Sequence, residues 1–422
     1  EQEGLARFVT LSDVKFGKDD QGFRVLTDAA GNSIRIEDHF NVFYELPEHI
    51  KSIEGIVGVN AEGTHFLWPT SKDDIVEAFA PANFADGKYY LVNVGANLAG
   101  ENAVWGAGND WGTRASLVKH PEYVILHKVG DGTYQMETQV SNGGTAYFFN
   151  GDYMDNGNPM NLTITRSKEP IGYSDDDETV PVYAYYIADG ENYFGWDGET
   201  TVLGKNVAKA SDNALWMIFS EEQMKAELAT ATTAEPVDAT FLILDPNFGR
   251  NNRNVGVWTM EADNKNLSGG NNINNCAESW RSAFTLSQEL TDIPNGKYVI
   301  NAQAAITDYA ELYDGADYPV IYANDKSAAF NNMETEDRAT NMSTLSQAFS
   351  AGKYQVEPLE VIVTDGKLTI GAKGTRLDTW AIWDNFELTY YGPVAAPVET
   401  VRTWDFTTWS ATTVADLKAD AA

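Results

Sequence analysis

The chain has 422 residues, of which 62 are acidic and 29 are basic, so its formal net charge is −33. A field of this sign repels phosphate backbones, which excludes nucleic acid as a partner. Hydrophobic residues make up 43% of the chain and charged residues 22%, which is too apolar for a disordered acidic chain. The length suggests about three domains, and no apolar run approaches the roughly 18 residues that could span a bilayer.

The aromatic residues and the single cysteine indicate an extracellular β-protein. The chain holds 11 Trp, 20 Tyr and 19 Phe beside 35 Gly, a composition typical of all-β proteins with long polar loops. Cys276 has no second cysteine with which to form an internal disulfide, so stability has to come from apolar cores or bound ions. We therefore predict an all-β protein of several modules.

Residues 1–78 are predicted to form a small barrel. Five segments alternate in polarity like strands: 8–14, 23–27, 33–37, 53–59 and 64–68. Turn residues at 28–32 and 60–63 join neighbouring antiparallel strands. In 54–59 (EGIVGV) followed by 68–71 (WPTS), the segment resembles the oligonucleotide/oligosaccharide-binding-like (OB-like) barrels of surface lipoproteins of Bacteroidota.

A loose repeat runs through residues 79–229. Its copies begin at 87–91 (GKYYL), 132–136 (GTYQM) and 182–186 (VYAYY), about 45 to 50 residues apart, and units this short cannot bury a core alone. The three copies therefore imply a threefold arrangement. The pattern, with 214–220 (ALWMIFS) as its closing strand, resembles the β-trefoil modules of secreted Bacteroidota proteins, but lacks the Gln-x-Trp signature of ricin-type lectins.

A helix and a linker are predicted to end this module. Ser220 is a suitable N-cap, and Glu221 and Glu222 fall in the first turn of a helix that runs to Leu228. The small residues of 229–236 (ATATTAEP) are predicted as a linker between domains.

Residues 237–392 are predicted to form an antiparallel jelly-roll sandwich. Segments of alternating polarity are joined by Asn-Gly and Asp-Gly turns, and the apolar run 239–244 is predicted as a buried strand. The order of 293–298 (IPNGKY), 363–371 (VTDGKLTIG) and 380–388 (WAIWDNFEL) resembles galactose-binding-like modules attached to glycan-degrading proteins of gut Bacteroidota. The resemblance implies a carbohydrate-binding module.

Residues 393–422 are predicted to be a linker and the start of a further module. Residues 393–397 read PVAAP, and 403–410 read TWDFTTWS, similar to the openings that precede β-helix, pectate-lyase-like domains. About twenty residues cannot close a core, so we expect the parent polypeptide to continue and Glu1 not to be its biological start.

The sequence contains no recognisable catalytic motif. The sequence has no His-Glu-x-x-His, no Walker loop and no Gly-x-Ser-x-Gly, so the chain is not predicted to be an enzyme. Asp384 is expected to anchor a loop or to ligate a structural ion. No cofactor is assigned, and structural calcium is left open because oxygen ligands are plentiful. The histidines lack metal-ligand spacing and are expected to be structural or exposed: His39, His49, His65, His120 and His127.

The sandwich suggests where a sugar would bind. If turns 294–296 and 365–366 share one end, the long loops 249–257, 307–319 and 373–379 collect at the other. Sugar recognition needs an aromatic face and planar polar groups. The candidate carbohydrate-binding residues are Arg253, Trp280, Tyr309, Tyr313, Arg376 and Trp380.

The tryptophans also have a structural interpretation. Large aromatics in sandwiches usually fill the core, and we expect this of Trp258 and Trp383. Trp380 and Trp383 are three residues apart and face opposite sides of a strand, so at most one is expected to point inward. Ligand contact and core packing remain equal alternatives for Trp280 and Trp380.

Three hypotheses about function follow. The first is a non-catalytic carbohydrate-binding region of a glycan-utilisation protein, secreted or on the outer-membrane surface of a bacterium, with a polysaccharide or glycan as partner. The second is a surface scaffold that docks other outer-membrane glycan-uptake proteins without binding sugar. The third is a set of ancillary domains in a polysaccharide-degrading enzyme whose catalytic domain lies beyond residue 422.

Overall fold

A computed structural model describes most of the chain. The described residues are 7–43, 46–60, 63–77, 80–108, 113–142, 145–173, 181–209, 211–249, 257–270, 274–307, 317–338 and 341–394. Strands dominate them, and the predicted all-β class is confirmed. None of the helices in these ranges has both the length and the hydropathy of a membrane-spanning segment. The predicted further module, whose opening is 403–410, lies outside the described residues.

The first module is a closed barrel with one added strand. Its strands are β1 (Arg7–Lys18), β2 (Arg24–Thr27), β3 (Ser33–Ile36), β4 (His49–Val59), β5 (His65–Trp68) and β6 (Ile75–Glu77). The order β1-β2-β3-β5-β4 returns to β1, and β3 pairs with β5 in parallel. The five predicted segments correspond to β1–β5, whereas β6 was not predicted. Membership of the OB-like class stays a prediction.

Local chemistry explains how this barrel closes. After β2, the Asp28 carboxylate accepts hydrogen bonds from the backbone N–H groups of Ala30 and Asn32, and Gly31 takes a φ of +85°, which glycine adopts without strain. A Cβ at Gly58 would lie 2.1 Å from the Trp68 ring. Glycine at 58 therefore lets Trp68 lie across β4.

The second module is built around a ring of six strands. Its strands are β7 (Gly87–Asn93), β8 (Val104–Gly108), β9 (Arg114–Val118), β10 (Val124–Gly130), β11 (Thr133–Asn142), β12 (Thr145–Phe148), β13 (Leu162–Arg166), β14 (Gly172–Tyr173), β15 (Pro181–Val182), β16 (Tyr185–Asp189), β17 (Asn192–Tyr193) and β18 (Leu215–Ser220). The ring order β7-β10-β11-β13-β16-β18 returns to β7. Helix α1 (Val94–Ala99) follows β7.

The three predicted repeat copies each supply one strand of this ring. The copies beginning at 87, 132 and 182 correspond to β7, β11 and β16. Their shared core is aromatic, with the Trp105 and Trp216 rings 4.8 Å apart and Phe149 and Phe194 packed beside them. The closed ring agrees with a threefold arrangement, and the β-trefoil assignment stays a prediction.

Helix α2 (Glu221–Leu228) begins where the sequence predicts. The Ser220 side chain accepts from the backbone N–H of Gln223, whose side chain accepts from the backbone N–H of Ser220, which is a capping box. The predicted linker that follows is packed, since Ala231 is buried in the core of the third module. The small side chains of this segment let the second and third modules come together.

The third module is a sandwich of two sheets. Its strands are β19 (Val237–Asp238), β20 (Thr259–Ala262), β21 (Lys265–Gly270), β22 (Asn275–Trp280), β23 (Phe284–Thr291), β24 (Gly296–Thr307), β25 (Val320–Ala323), β26 (Lys326–Ala329), β27 (Asn331–Asn332), β28 (Leu359–Val363), β29 (Lys367–Gly374) and β30 (Trp380–Tyr390). One sheet has the order β20-β23-β29-β25-β26. The other has the order β21-β22-β30-β24-β27, with β19 on β30 and β28 on β24. The galactose-binding-like assignment stays a prediction.

The apolar run 239–244 does not form the predicted strand. Residues Thr240–Leu242 form a 3₁₀ helix instead. The Thr240 hydroxyl accepts a hydrogen bond from the backbone N–H of Leu388. The run is buried as expected, with Phe241 and Ile243 in the core.

Both faces of the larger sheet are covered. Trp383 points into the sandwich, where its ring stacks on Phe284 at 4.9 Å and 11°. Trp380 points to the other face, as the alternation predicts, but it is also buried there. Helix α3 (Met342–Ser350), which was not predicted, covers that face with Leu345 and Phe349. The expectation that at most one of these two indoles points into the sandwich is therefore confirmed, and the burial of Trp380 under α3 was not predicted.

Candidate functional site

The tight turns and the long loops of the sandwich were predicted to lie at opposite ends. The Asn295 side-chain oxygen accepts from the backbone N–H of Gly366 at 2.8 Å, so both tight turns lie at one end. At the other end Thr307 pairs with Trp380, which places the start of loop 307–319 beside loop 373–379. The tight turns therefore lie at one end as predicted, and Thr307 lies at the other end beside loop 373–379.

The Trp280 surface lies at the loop end. We define it as Trp280, Arg281, Arg376, Leu377 and Asp378. Trp280 ends β22 and is 36% exposed. The backbone N–H of Arg281 donates to the Thr379 carbonyl at 2.8 Å, which joins this strand end to loop 375–379.

Trp280 is held by its neighbours. Its ring lies 6.1 Å from that of Trp380, its partner across the β22–β30 pair. The Arg281 guanidinium lies 5.6 Å from the Trp280 ring centroid, within range of a cation–π attraction. This arrangement keeps part of an indole at the surface beside a fixed positive charge.

Arg376 already has a partner at this surface. Its guanidinium makes two hydrogen bonds to the Asp378 carboxylate, at 2.8 and 2.6 Å. Leu377 between them is 68% exposed. The pair orders the loop and leaves planar polar groups beside Trp280.

Trp380, one of the predicted carbohydrate-binding residues, is buried. It is 1% exposed, and its indole N–H donates to the Glu278 carboxylate at 2.6 Å. Burial raises the pKa of Glu278, while the hydrogen bond from Trp380 acts in the opposite direction. Because the Trp380 ring is covered by α3, it cannot present a face to a ligand.

Three of the predicted ligand residues cannot be placed. Arg253, Tyr309 and Tyr313 lie outside the described residues. The expectation that loop 249–257 lies at the loop end is not met at its first residue. The Gly249 carbonyl accepts a hydrogen bond from the Asn275 side chain at 2.8 Å. Asn275 begins β22 and Trp280 ends it, so loop 249–257 starts far from the predicted loop end.

A cleft between the second and third modules was not predicted. It encloses about 340 Å³, within the usual range for ligand sites. Of the nineteen described residues that line it, seven are Asn or Gln and none is Asp or Glu. We call it the amide cleft and define it by Asn102 of the second module and by Asn247, Asn274, Asn275, Gln355 and Asn385 of the third. These residues are too far apart in the sequence for a local motif to reveal them.

A β-bulge directs Asn385 into this cleft. The register between β24 and β30 shifts between Asn301 and Gln303, and Asn385 has a φ of +51°; bulges of this kind re-aim side chains. The Asn385 amide donates to the Gln303 side chain at 2.5 Å, and its oxygen lies 3.2 Å from Nε2 of His120. Burial, assisted by Lys119, lowers the pKa of His120, so this imidazole is neutral at neutral pH.

Asp384 lies below the cleft and is completely buried. It accepts from the backbone N–H of Asn385 at 2.8 Å and from the Asn274 amide at 3.3 Å. Burial raises its pKa well above the ordinary value. The hydrogen bonds fit the expected loop-anchoring role. Among the described residues, no group of three or more His, Cys, Asp or Glu side chains is arranged to hold a metal ion.

Cys276 is buried and unbridged. Burial raises its pKa well above the ordinary value, so the thiolate that reacts as a nucleophile is disfavoured. The thiol therefore acts as an apolar side chain between β22 and α3.

The sequence matches no protein-family model and no curated protein. Among solved structures, the carbohydrate-binding module TmCBM61 with β-1,4-galactotriose is 15% identical and covers 35% of this chain and 97% of its own, with a TM-score of 0.23. A putative sugar-binding protein from Bacteroides thetaiotaomicron is 16% identical and covers 33% and 85%, with a TM-score of 0.15. A family 43 arabinoxylan arabinofuranohydrolase from Bacillus subtilis is 12% identical and covers 91% and 93%, with a TM-score of 0.19. Scores this low carry no argument about the family or the function of this chain.

Proposed function

We propose that this chain is a non-catalytic carbohydrate-binding region of an extracellular or cell-surface glycan-utilisation protein. The observation that carries the proposal is the partly exposed Trp280 ring at the loop end of the sandwich. The apolar face of a pyranose packs on an aromatic ring, and planar polar groups beside it bind the hydroxyls. Arg281 supplies such a group next to the Trp280 ring, and Arg376 and Asp378 supply others in loop 375–379, which is joined to this strand end by the hydrogen bond from Arg281 to Thr379.

The test is a glycan array probed with the whole chain, followed by titration of the best ligand. Trp280→Ala is expected to weaken binding by about tenfold or more, which corresponds to about 1.4 kcal/mol. Trp280→Phe keeps an aromatic face and is expected to retain most of the affinity. Ile362→Ala, which truncates an exposed apolar side chain of β28 outside this surface, is the matched control.

Each outcome bears on the proposal. Loss of binding in Trp280→Ala with an unchanged unfolding curve supports a sugar site at the Trp280 surface. Equal affinity of wild type and Trp280→Ala refutes that site. Binding to no glycan at all refutes carbohydrate binding by this chain.

A second candidate function is docking to other surface proteins, such as outer-membrane glycan-uptake proteins. Its support is the first module, whose exposed apolar residues include Phe8 at 59%, Phe23 at 48% and Val59 at 50%. Phe8 lies near the start of β1 and pairs with Ile56 of β4, the strand that ends at Val59, whereas Phe23 lies next to the other end of β1. Exposed large apolar side chains are a feature of interaction surfaces. Phe8→Ser with Val59→Ser is expected to reduce association with a partner while leaving any glycan affinity unchanged.

A further inference from the structure

The amide cleft contains buried acceptor oxygens that lack donors. Within the described part of the chain, the side-chain oxygens of Asn247 and Asn275 have no hydrogen-bond partner. The Asn275 amide nitrogen donates to the Gly249 carbonyl at 2.8 Å, so its orientation is fixed and the oxygen is the atom left unpaired. Unpaired buried acceptors are uncommon in folded proteins and call for an explanation.

The two oxygens belong to one place in the cleft. Both side chains flank Gly249, since the Asn247 oxygen lies 3.2 Å from where a Cβ on Gly249 would be. Asn275 itself is only 4% exposed. A bound donor would supply hydrogen bonds that neither the described protein groups nor bulk water provides there.

The charges around the cleft favour an uncharged ligand. Lys119 is the one Lys or Arg among the described residues that line the cleft, and it pairs with Glu387. Burial lowers the pKa of His120, which favours its neutral form, and none of the described residues that line the cleft is Asp or Glu. The net charge of −33 disfavours acidic ligands over the whole molecule.

The remaining lining matches hydroxyl groups. Amide side chains both donate and accept, as sugar hydroxyls do, and the cleft presents them from both modules, with Asn102 opposite Asn247 and Gln355. Among the described residues that line the cleft, Phe349 adds an apolar aromatic ring. A divalent cation fits less well, because calcium requires about six to eight oxygen ligands, usually including carboxylates.

We propose that the amide cleft is a second binding site, which takes a segment of a neutral glycan. The site is separate from the Trp280 surface, and it shares with the proposed function only the ligand class. Its walls come from two modules, so it exists only when these modules are packed together. Asn247 and Asn275 accept hydrogen bonds from sugar hydroxyls, Gln355 binds the ligand from the same module, and Asn102 of the second module binds its opposite side.

Asn247→Leu tests the role of the unpaired oxygen. If the Asn247 side chain stabilised the fold, this substitution would lower the melting temperature. Because Leu has a similar volume and removes an unsatisfied buried acceptor, we expect the melting temperature to stay unchanged or to rise. Binding to the cleft is expected to weaken by about tenfold or more. Asn102→Trp, which plugs the cleft from the second module, is expected to do the same without changing stability, because Asn102 is exposed. Leu98→Trp, on the exposed face of α1, is the control.

The experiment titrates the full chain by calorimetry with neutral gluco-, galacto-, manno- and xylo-oligosaccharides, with oligogalacturonate, and with calcium alone. The two substitutions are also made in the Trp280→Ala background. Neutral oligosaccharide binding that survives Trp280→Ala and is lost in Asn247→Leu and Asn102→Trp supports the cleft site. Binding that is lost in Trp280→Ala and unaffected by the cleft variants supports only the Trp280 surface.

Other results overturn the proposal. Wild-type affinity of both cleft variants for every oligosaccharide excludes the cleft as a glycan site. Preference for oligogalacturonate contradicts the neutral ligand class. Calcium binding that disappears in Asn247→Leu makes the cleft an ion site. Absence of binding to all oligosaccharides refutes both the cleft site and the Trp280 surface.

Discussion

Trp380→Phe and Trp383→Phe, made separately, compare two buried indoles on one strand. The same atoms are removed in each case, so the cost of the resulting cavity is similar and largely cancels in the difference. The indole N–H of Trp380 donates to the Glu278 carboxylate at 2.6 Å. The indole N–H of Trp383 has no hydrogen-bond partner among the described residues.

The hydrogen bond to Glu278 sets the expected magnitude. Hydrogen bonds to charged groups contribute about 1.5–3 kcal/mol to the free energy of unfolding. Trp380→Phe removes one and leaves Glu278 half-buried without its donor, whereas Trp383→Phe removes none. We therefore expect Trp380→Phe to be more destabilising than Trp383→Phe by about 1.5–3 kcal/mol at neutral pH.

The difference should depend on pH in a defined direction. Burial raises the pKa of Glu278 in the folded state above its unfolded value, so the native protein takes up this proton first as the pH falls. When the pH is below this raised pKa, Glu278 is protonated, and burying its side chain no longer lowers the free energy of unfolding through a buried charge. Trp380→Phe raises that pKa further, because the hydrogen bond from Trp380 lowers it. The excess cost of Trp380→Phe should therefore shrink on acidification.

The assay is urea unfolding followed by far-ultraviolet circular dichroism at about pH 7.5 and about pH 4.5; because the pKa of Glu278 is raised, a larger fraction of this carboxyl is protonated at the lower pH. Trp258→Phe is a useful control, since its indole N–H donates to the uncharged carbonyl of Asp245 at 2.9 Å. That variant should lose about 0.5–1.5 kcal/mol from the hydrogen bond at both pH values. Equal costs for Trp380→Phe and Trp383→Phe, or a difference that does not change with pH, would refute the reasoning.

Two further predictions concern other contacts. Burial lowers the pKa of His120 in the folded state, so the unfolded state binds more protons and stability should fall as the pH drops below about 6.5. Lys119, Glu387 and Asp238 also face this ring. His120→Gln should flatten this part of the curve of melting temperature against pH, and an unchanged curve would contradict the prediction. Gly296→Ala should destabilise the sandwich by more than about 1 kcal/mol, since its φ is +151° and a Cβ would lie 2.3 Å from the Gly392 carbonyl oxygen. Gly157→Ala, with open space around it, is the control in the same denaturation experiment.

Local signals in the sequence predicted much of the fold. Turn residues and alternating polarity located β1–β5, and Ser220 with its following acids located the start of α2. Each of the three aromatic copies corresponds to a strand of the ring. The paired turns at Asn295 and Gly366 were placed at one end by connectivity alone.

The sites were harder to predict because they depend on what covers each face. Alternation along β30 correctly placed Trp380 and Trp383 on opposite sides, but it could not reveal that α3 buries the outer side. Trp280 stays partly exposed although its strand partner Trp380 does not. The amide cleft joins Asn102 to Asn247, residues in different modules, so no pattern within either segment could predict it.

The packing between the second and third modules links stability to binding in the cleft. Leu228 and Ala231 are buried in the core of the third module, and Tyr90 of the ring donates to the Phe241 carbonyl. These contacts fix the position of Asn102 relative to Asn247 before any ligand arrives, which lowers the entropic cost of binding. The contact between the modules increases the affinity for a ligand that bridges both walls. By thermodynamic linkage, such a ligand stabilises this contact by the same free energy. A glycan in the cleft would therefore hold the two modules together, whereas a glycan on the Trp280 surface would not affect their contact.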